Sequence, residues 1–219
     1  MSGSAGTKVA GARFPLVAIY ADESCLGNGR EGSNPGGAGA LIEYMRPESL
    51  VLVRRDLWVS EPATTNNRMA LRSVIESFQA LSRKGQRFSV AFTSDSRYLI
   101  DGMQSWVRDW ARRGWKRKTG PIENLELWQA AVDAVRPHEV SWRWVRGHHG
   151  HPQNEYANHL ATAAAAKQTS SDGLVASGFE EWLASQRERG VIRTDVDAFP
   201  TAAAFRAAAP LPAVSTARP

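Results

Sequence analysis

The sequence predicts an α/β fold, in which a mixed five-stranded sheet carries helices on both faces. Two observations along the chain predict it. Three strand-like runs come first, and the loops between them are rich in turn-forming residues, as antiparallel strands require. Helical and strand-like segments then alternate, which is typical of a sheet whose later strands are joined by helices packed on its faces.

The first three strands are expected at 16–23, 37–44 and 50–58. A Gly/Pro-rich loop at 27–37 separates the first from the second. An Arg-Pro-Glu-Ser turn at 46–49 separates the second from the third.

Apolar residues in the later segments recur at three- and four-residue spacing, which indicates amphipathic helices. In the first such segment Leu71, Val74 and Phe78 share one face, and Gly85 ends the run. The helices are expected at 65–83, from about 99 to 114, at about 122–135 and at about 153–167, with strands at 88–94 and 138–145.

The length of 219 residues suits one domain of ordinary size with additional terminal segments. Residues 1–14 are expected to form a flexible leader, and residues 15–167 the folded domain. Residues 168–219 are polar and then Ala/Pro-rich, which predicts a largely disordered tail. One short helix, at about 178–189, interrupts that tail.

Composition and charge exclude several classes of protein. The single cysteine, Cys25, excludes an intramolecular disulfide framework and indicates a reducing compartment, so a cytoplasmic monomer is expected. The sequence contains no run of about 18 apolar residues, so no membrane span is predicted. Residues 1–13 lack the apolar core of a secretory signal, although their basic character leaves an organellar address open. The net charge of +5 favours polyanionic partners.

Two aspartates stand at the ends of predicted buried strands, Asp22 near the end of the first and Asp95 directly after the fourth. A carboxylate at the tip of an apolar strand is unfavourable without a partner, and two such tips can meet at one end of a sheet. Mg²⁺ prefers carboxylate oxygens. The pattern therefore predicts metal-assisted chemistry, and the basic, Trp-rich segment nearby favours a phosphodiester substrate.

Five stretches carry a family resemblance, at 19–28, 64–69, 93–98, 106–116 and 142–155. Each alone is of moderate specificity, but the five in this order are very specific. Residues 15–167 resemble a type 1 ribonuclease H. The resemblance implies an endoribonuclease in which four carboxylates hold a pair of Mg²⁺ ions, with Mn²⁺ as an alternative. Such an enzyme cleaves the RNA strand of an RNA–DNA hybrid by two-metal-ion hydrolysis.

The resemblance assigns catalytic roles, with two departures. Asp22 matches the aspartate that bridges both metals, and Asp95 matches the aspartate on the neighbouring strand. Ala70 stands where the family has a glutamate, and Asn158 stands where it has the last aspartate. Two aspartates supply a charge of −2 against +4, so the second ion is expected to bind poorly without substrate. Asn158 can still offer a carbonyl oxygen as a ligand.

Glu23 is the candidate for a compensating acid, because it directly follows Asp22. In a regular strand its side chain points to the opposite face, and only a bulge or strand end would turn it inward. His148 matches the family's loop histidine, a proton carrier. The neighbouring His149 and His151 are expected to be solvated loop residues.

Nucleic-acid binding is predicted at two places. By resemblance, Thr65, Asn66 and Arg68 form a phosphate pocket at a helix N-terminus, where amides and the helix dipole favour an anion. Asn28 and Asn67 resemble groove-contacting amides. A basic segment resembles the family's hybrid-gripping protrusion, and its contacts are expected from Trp106, Arg112, Arg113, Trp115, Lys116 and Arg117.

Two functions remain open from the sequence. The first is a Mg²⁺-dependent ribonuclease with a modified metal site. The second is a degenerate domain that binds RNA–DNA hybrid or duplex without efficient cleavage. A carboxylate of Glu23 directed at Asp22 and Asp95 would favour the enzyme. Whether Ala70 and Asn158 are natural or were introduced to trap a complex is also open.

Overall fold

The computed structural model describes residues 11–27, 34–147 and 149–214 and contains two layers of helices around a central sheet. In chain order its elements are β1 (Leu16–Cys25), β2 (Gly36–Met45), β3 (Leu52–Glu61), α1 (Asn66–Ser82), β4 (Ser89–Ser94), α2 (Arg97–Asp101), a π-helical turn (Gly102–Trp106), α3 (Val107–Arg112), α4 (Leu125–Val135), β5 (Glu139–Trp144), α5 (Pro152–Lys167), β6 (Val175–Ala176) and α6 (Phe179–Glu188).

The sheet has the strand order β5-β4-β1-β2-β3-β6. β1, β2 and β3 pair antiparallel, whereas β4 is parallel to both β1 and β5. The predicted mixed α/β sheet is confirmed. It gains a sixth strand that was not predicted, because β6 pairs antiparallel with β3.

Alternate residues of β1 supply two separate apolar cores. Val17, Ile19 and Ala21 face the layer that contains α1 and α4. Ala18 and Tyr20 face the other layer and pack with α5 and α6. This period of two is expected for a strand covered on both sides.

Helix α5 lies unusually close to β2, and the glycines of that strand make this possible. A Cβ atom on Gly39 would lie 2.4 Å from the carbonyl oxygen of Ala157, and one on Gly37 would lie 2.2 Å from that of Ala161. Real Cβ atoms do not approach backbone oxygens so closely, so any larger residue would push the helix outward. The close contact therefore fixes the distance of α5 from the strands that carry the functional residues.

The helix expected from about 99 to 114 is interrupted rather than continuous. A π-helical turn stands between α2 and α3, and α3 ends at Arg112. Trp115 then takes a positive φ of 61° and turns back into the core, where it is only 8% exposed. The π-helical turn places Gly102 directly against the ring of Trp128. The large side chain of Trp128 is therefore packed where the regular α-helix is interrupted.

The C-terminal segment is ordered through residue 214, so the prediction of a largely disordered tail is wrong. The expected short helix is α6, and its Phe179 and Leu183 are buried against Tyr156 of α5. Ile192 and Phe205 are buried further along. A few large apolar side chains are therefore enough to bind an Ala/Pro-rich segment to a preformed surface.

The end of the predicted flexible leader is also bound to the domain. The backbone amide of Ala12 donates to the carbonyl of Ala202 at 2.9 Å, and Arg13 forms an ion pair with Glu139. At the edge of the sheet beside them, the amide of Ala208 donates to the carbonyl of Val140 at 2.7 Å. Among the described residues, no helix combines the length and apolar character needed to cross a bilayer.

We predict that His138 makes folding sensitive to mild acid. Burial, and then the charge of Arg87, lower its pKa from 6.5 to about 4, while its ring accepts from the amide of Phe88. The unfolded chain therefore binds a proton between these two values that the folded chain does not. The contribution of His138 to stability is therefore fully present above pH 6.5 and is lost as the pH falls toward 4, by about 2 kcal/mol between pH 7 and pH 5.

Urea denaturation of the protein and of His138→Gln at both pH values tests this. The variant is expected to be less stable at pH 7 but to lose about 2 kcal/mol less on acidification. His149→Gln, at an exposed histidine, is the control and should behave as the unmodified chain does. Equal acid losses in all three proteins would contradict the prediction.

Candidate active site

Asp22 and Asp95 are brought together by the point at which two parallel strands stop pairing. The last pair between β1 and β4 joins Ala21 to Ser94. Asp22 and Asp95 are the next residues of their chains, so they lie side by side at the carboxyl end of the sheet. The convergence that the sequence predicted from two strand tips is what the register produces.

Glu23 joins this pair, because one carboxylate oxygen from each of Asp22, Glu23 and Asp95 lies within 4.8 Å of the others. No bulge produces this arrangement, since Asp22 pairs with Gly39 and Glu23 with Ala38 in unbroken register. Asp22 extends the face of Tyr20, and Glu23 extends the face of Ala21. They point to opposite faces as expected, yet both reach the cluster because β4 has ended and leaves that side of β1 open.

The carboxylates of the cluster are held in an environment that opposes their ionisation. Burial, and then the negative charge of Asp95, raise the pKa of Glu23 to about 8, although a hydrogen bond from Ser96 lowers it. Burial and Asp95 likewise raise the pKa of Asp22 well above its ordinary value. Salt bridges among the described residues involve neither Asp22 nor Glu23. In the part of the chain that the structure describes, no ion pair therefore offsets the charge of Asp22 or of Glu23.

Two buried polar atoms indicate the kind of ligand that the site takes. In the described part of the chain, Glu23 Oε2 and Asn154 Oδ1 are buried without a hydrogen-bond partner. Such atoms are costly unless they bind an ion or water. Carboxylate and amide oxygens are the ligands that a hard divalent cation prefers. The donor set of Asp22, Glu23 and Asp95 therefore fits Mg²⁺ or Mn²⁺.

Asn154 is a site residue that the sequence argument missed. Its Nδ2 donates to Asp22 Oδ2 at 2.6 Å, and both side chains are buried. It lies in the first turn of α5, which crosses the sheet close to Gly39, the partner of Asp22. The available signal was its position four residues before Asn158, since residues four apart share a helix face.

The two departures from the family pattern differ in their surroundings. Ala70 is fully buried in the apolar core on the α1 side of the sheet. Asn158 is half-buried one helical turn beyond Asn154, and its Oδ1 accepts from Thr162 at 3.4 Å. Two other predicted site residues, His148 and Asn28, lie outside the described residues.

His151 was expected to be a solvated loop residue, but the structure contradicts this. Its Nδ1 accepts from the backbone amide of Asn154 and so caps the N-terminus of α5. Its ring packs on Tyr20, with the two ring centroids 5.6 Å apart.

Comparisons with known proteins agree with this geometry. The RNase H family model matches residues 15–166. The chain belongs to the ribonuclease H family. A ribonuclease H of Stutzerimonas stutzeri is 44% identical over 146 residues, which are 66% of this chain and 88% of that protein. The chain is thus a member of a family of hydrolytic nucleases, and its resemblance to the type 1 enzymes is confirmed.

A solved structure extends the comparison to nearly the whole chain. LC9-RNase H1, described as a type 1 RNase H with the type 2 active-site motif, is 66% identical with a TM-score of 0.87, covering 94% of this chain and 98% of its own. The RNase H domain of PFV has a TM-score of 0.56 at 16% identity, over 69% of this chain and 94% of its own, which shows the shared fold.

The residues that were predicted to contact nucleic acid lie at two places, the N-terminus of α1 and the segment around the end of α3. Thr65 caps α1, where its Oγ1 accepts from the amide of Arg68 at 3.3 Å. Asn66 and Asn67 follow in the first turn, and Asn66 Oδ1 is buried without a partner among the described residues. Arg68 lies 3.5 Å from Glu61, so an acid already shares this pocket.

The cations of the basic segment are exposed to solvent. Arg113, Lys116 and Arg117 are exposed, and Arg112 is exposed but paired with Asp109. The remaining predicted contacts are aromatic: Trp106 is half-buried, whereas Trp115 belongs to the core. The prediction that Trp115 contacts nucleic acid is wrong, because its ring is covered by protein.

We predict that Gly147→Ala disables the ribonuclease H site without unfolding the domain. A Cβ atom at Gly147 would lie 2.0 Å from Asp95 Oδ2, although the backbone there is one that alanine can adopt. The Asp95 carboxylate must therefore leave its present position in the cluster. We expect cleavage of a labelled hybrid to fall on the order of 100-fold, as a displacement of about 1 Å can cause.

Gly178→Ala is the matched control, because its Cβ atom would lie 3.2 Å from the Tyr156 hydroxyl, remote from the carboxylates. Thermal midpoints measured beside the activities should change by only a few degrees in both variants. Full activity in Gly147→Ala would show that the position of Asp95 is not critical.

Proposed function

We propose that this chain is an endoribonuclease that cleaves the RNA strand of RNA–DNA hybrids with Mg²⁺ held by Asp22, Glu23 and Asp95. The observation that carries the proposal is the convergence of these three carboxylates within 4.8 Å at the carboxyl end of the sheet. The family to which the chain belongs supports the substrate class.

Glu23 takes the part of the glutamate that is absent at position 70. It lies on the face of β1 between Ala21, which packs in the same core as Ala70, and Cys25, which packs near Met69. A carboxylate from the strand thus enters the α1 side of the site, where the helix contributes only a methyl group. LC9-RNase H1, with its type 2 active-site motif, supports a departure from the usual set in this branch of the family.

Three anionic ligands change the charge balance of the site. Asp22, Glu23 and Asp95 supply −3, and Asn158 would add a neutral carbonyl oxygen from α5. Bound metal ions supply activation of the attacking water and stabilisation of the leaving oxygen. Asn154 holds one oxygen of Asp22 by a hydrogen bond and so fixes its orientation. His148 would carry the proton to or from the reacting oxygen.

Hybrid binding would use both surfaces described above. The N-terminus of α1, with Thr65, Asn66 and Arg68, presents amide groups to a phosphate, and no acidic residue stands in its first turn. Exposed Arg113, Lys116 and Arg117 would follow the backbone of the other strand. Recognition then depends on helix shape and 2′-OH groups rather than sequence.

The proposal extends to the metal ion, the oligomeric state and the cellular compartment. Mn²⁺ can replace Mg²⁺, since it accepts the same oxygen ligands. The chain acts as a monomer. It works in the cytoplasm, which the lone half-buried Cys25 supports.

A second function, hybrid binding with little cleavage, is favoured by one observation. Ala70 is buried among apolar side chains and Asn158 carries no charge, so two of the four family positions supply no anion. The two functions differ in whether Glu23 compensates, and the next experiment separates them.

We predict that Glu23→Gln lowers hybrid cleavage on the order of 100-fold or more, because glutamine keeps the shape of the side chain but removes an anionic ligand. Glu76→Gln, the same change on a half-buried α1 residue paired with Arg72, is the control and should keep full activity. Cleavage of a labelled hybrid across a Mg²⁺ and Mn²⁺ titration provides the measurement.

The degenerate-site hypothesis makes the opposite forecast. If Glu23 does not compensate, the double change Ala70→Glu with Asn158→Asp should raise a weak activity by orders of magnitude, and Glu23→Gln should leave it unchanged. That pair of results would indicate that the chain binds hybrids without cleaving them efficiently.

We predict that the basic segment determines the salt dependence of hybrid binding. Replacing Arg113 and Lys116 with alanine should flatten the plot of log K against log salt, by about 0.9 for each phosphate of a duplex that the protein no longer neutralises. Lys84 and Arg189, exposed cations elsewhere on the chain, form the matched double-alanine control. Filter binding at several salt concentrations is the measurement. Equal slopes for the two double variants would show that Arg113 and Lys116 do not make the phosphate contacts.

A further inference from the structure

Residues 194–197, which we call the strap, bind the start of α5 from the C-terminal segment. The Gln153 side chain donates from Nε2 to the carbonyl of Asp197 at 2.9 Å and accepts at Oε1 from its amide at 3.1 Å. Gln153 is fully buried, so these bonds have no competition from solvent. Thr194 also donates to the carbonyl of Gly150. The strap is thus held to α5 by its backbone.

The side chain of Asp197 is directed at His151. His151 Nε2 lies 3.2 Å from Asp197 Oδ2, and His151 Nδ1 accepts from the amide of Asn154 at 3.3 Å. A backbone amide can only donate, so Nδ1 must be unprotonated and Nε2 must carry the hydrogen. Asp197 is the acceptor that stabilises this tautomer.

The Asp197 carboxylate stays charged in this position. Partial burial raises its pKa, but bonds to Arg143 and His151 lower it further, so that its pKa lies below the ordinary value. The ionised oxygen is therefore a strong acceptor for the imidazole N–H.

The chain of hydrogen bonds ends at the carboxylate cluster. The backbone amide of Asn154 donates to Nδ1 of His151, and the Asn154 side chain donates to Asp22 Oδ2 at 2.6 Å. The rotational position of the first turn of α5 thus determines where the Asn154 amide meets Asp22. His151 is fixed from the other side by the ring of Tyr20.

We propose that Asp197 is a positioning residue for the active site, which holds Asn154 against Asp22 through His151. This inference rests on the proposed function in assigning Asp22 to the metal site. It gives the C-terminal segment a part in catalysis, although the described residues of that segment contribute no group to the carboxylate cluster.

Asp197→Ala should lower kcat for hybrid cleavage on the order of 10-fold. KM for the hybrid should stay within about twofold, because the basic segment and the α1 N-terminus are unchanged. Asp197→Asn should restore most of kcat, since an amide oxygen can still accept from His151 Nε2. Arg143→Ala, which removes the other partner of the same carboxylate, is the control and should leave kcat unchanged.

A second readout needs neither metal nor substrate. In ¹H–¹⁵N spectra of the metal-free protein, the backbone and side-chain amide signals of Asn154 should shift in Asp197→Ala but not in Arg143→Ala. Should Asp197→Ala fail to fold, His151→Ser serves instead. Serine keeps a capping oxygen but cannot reach Asp197, and the Gln153 bonds still hold the strap; the same loss of kcat and the same shifts are expected.

A variant Asp197→Ala with a lower thermal midpoint but unchanged kcat and unchanged Asn154 signals would overturn the proposal, because Asp197 would then only stabilise the fold. The same result in His151→Ser would do so independently. Failure of the proposed metal set is a separate outcome: Glu23→Gln would keep full activity, while the Asn154 signals would still test the strap.

Discussion

The candidate active site depends on one electrostatic constraint, the close approach of three carboxylates, one buried and two half-buried, where β4 stops pairing with β1. Asp22, Glu23 and Asp95 cannot all ionise there without a compensating cation, as the raised pKa values of Asp22 and Glu23 indicate. Removing carboxylates from water is unfavourable, and a folded chain keeps three of them together only if their surroundings hold them in place. Gly147 leaves room for Asp95, Asn154 holds Asp22, and Ser96 contacts Glu23.

Much of the sheet and helix arrangement could be predicted from the sequence, because periodicity and turn residues act locally. The positions of Asp22 and Asp95 at strand ends were predicted for the same reason. Glu23 was predicted as a candidate compensating acid and alternation assigned its face correctly, but the bulge or strand end that was expected to turn it inward is absent, since Glu23 pairs with Ala38 in unbroken register. Whether residues on opposite faces can meet depends on where the neighbouring strand ends, and that is a property of β4 rather than of the sequence around Glu23.

Other errors arose where distant segments determine the structure. Trp115 stands among cations, which predicts an exposed contact, yet a positive φ turns it into the core. The contacts of Asp197 with His151 and Gln153 join segments more than forty residues apart, and no local pattern reports them. The composition of the C-terminal segment indicates disorder, but composition does not reveal that the folded sheet offers a surface for Phe179, Leu183 and Phe205.

The C-terminal segment reaches both borders of the sheet, with β6 beside β3 and Ala208 beside β5. Open strand edges are templates for pairing with other chains. Because this segment is made after the strands that it covers, a nascent chain on the ribosome would carry the β3 edge unprotected until synthesis has passed residue 176, and the β5 edge until it has passed residue 208. During synthesis there is therefore a period in which an open strand edge can pair with another chain. The duration of that period depends on how long the ribosome takes to make the C-terminal segment.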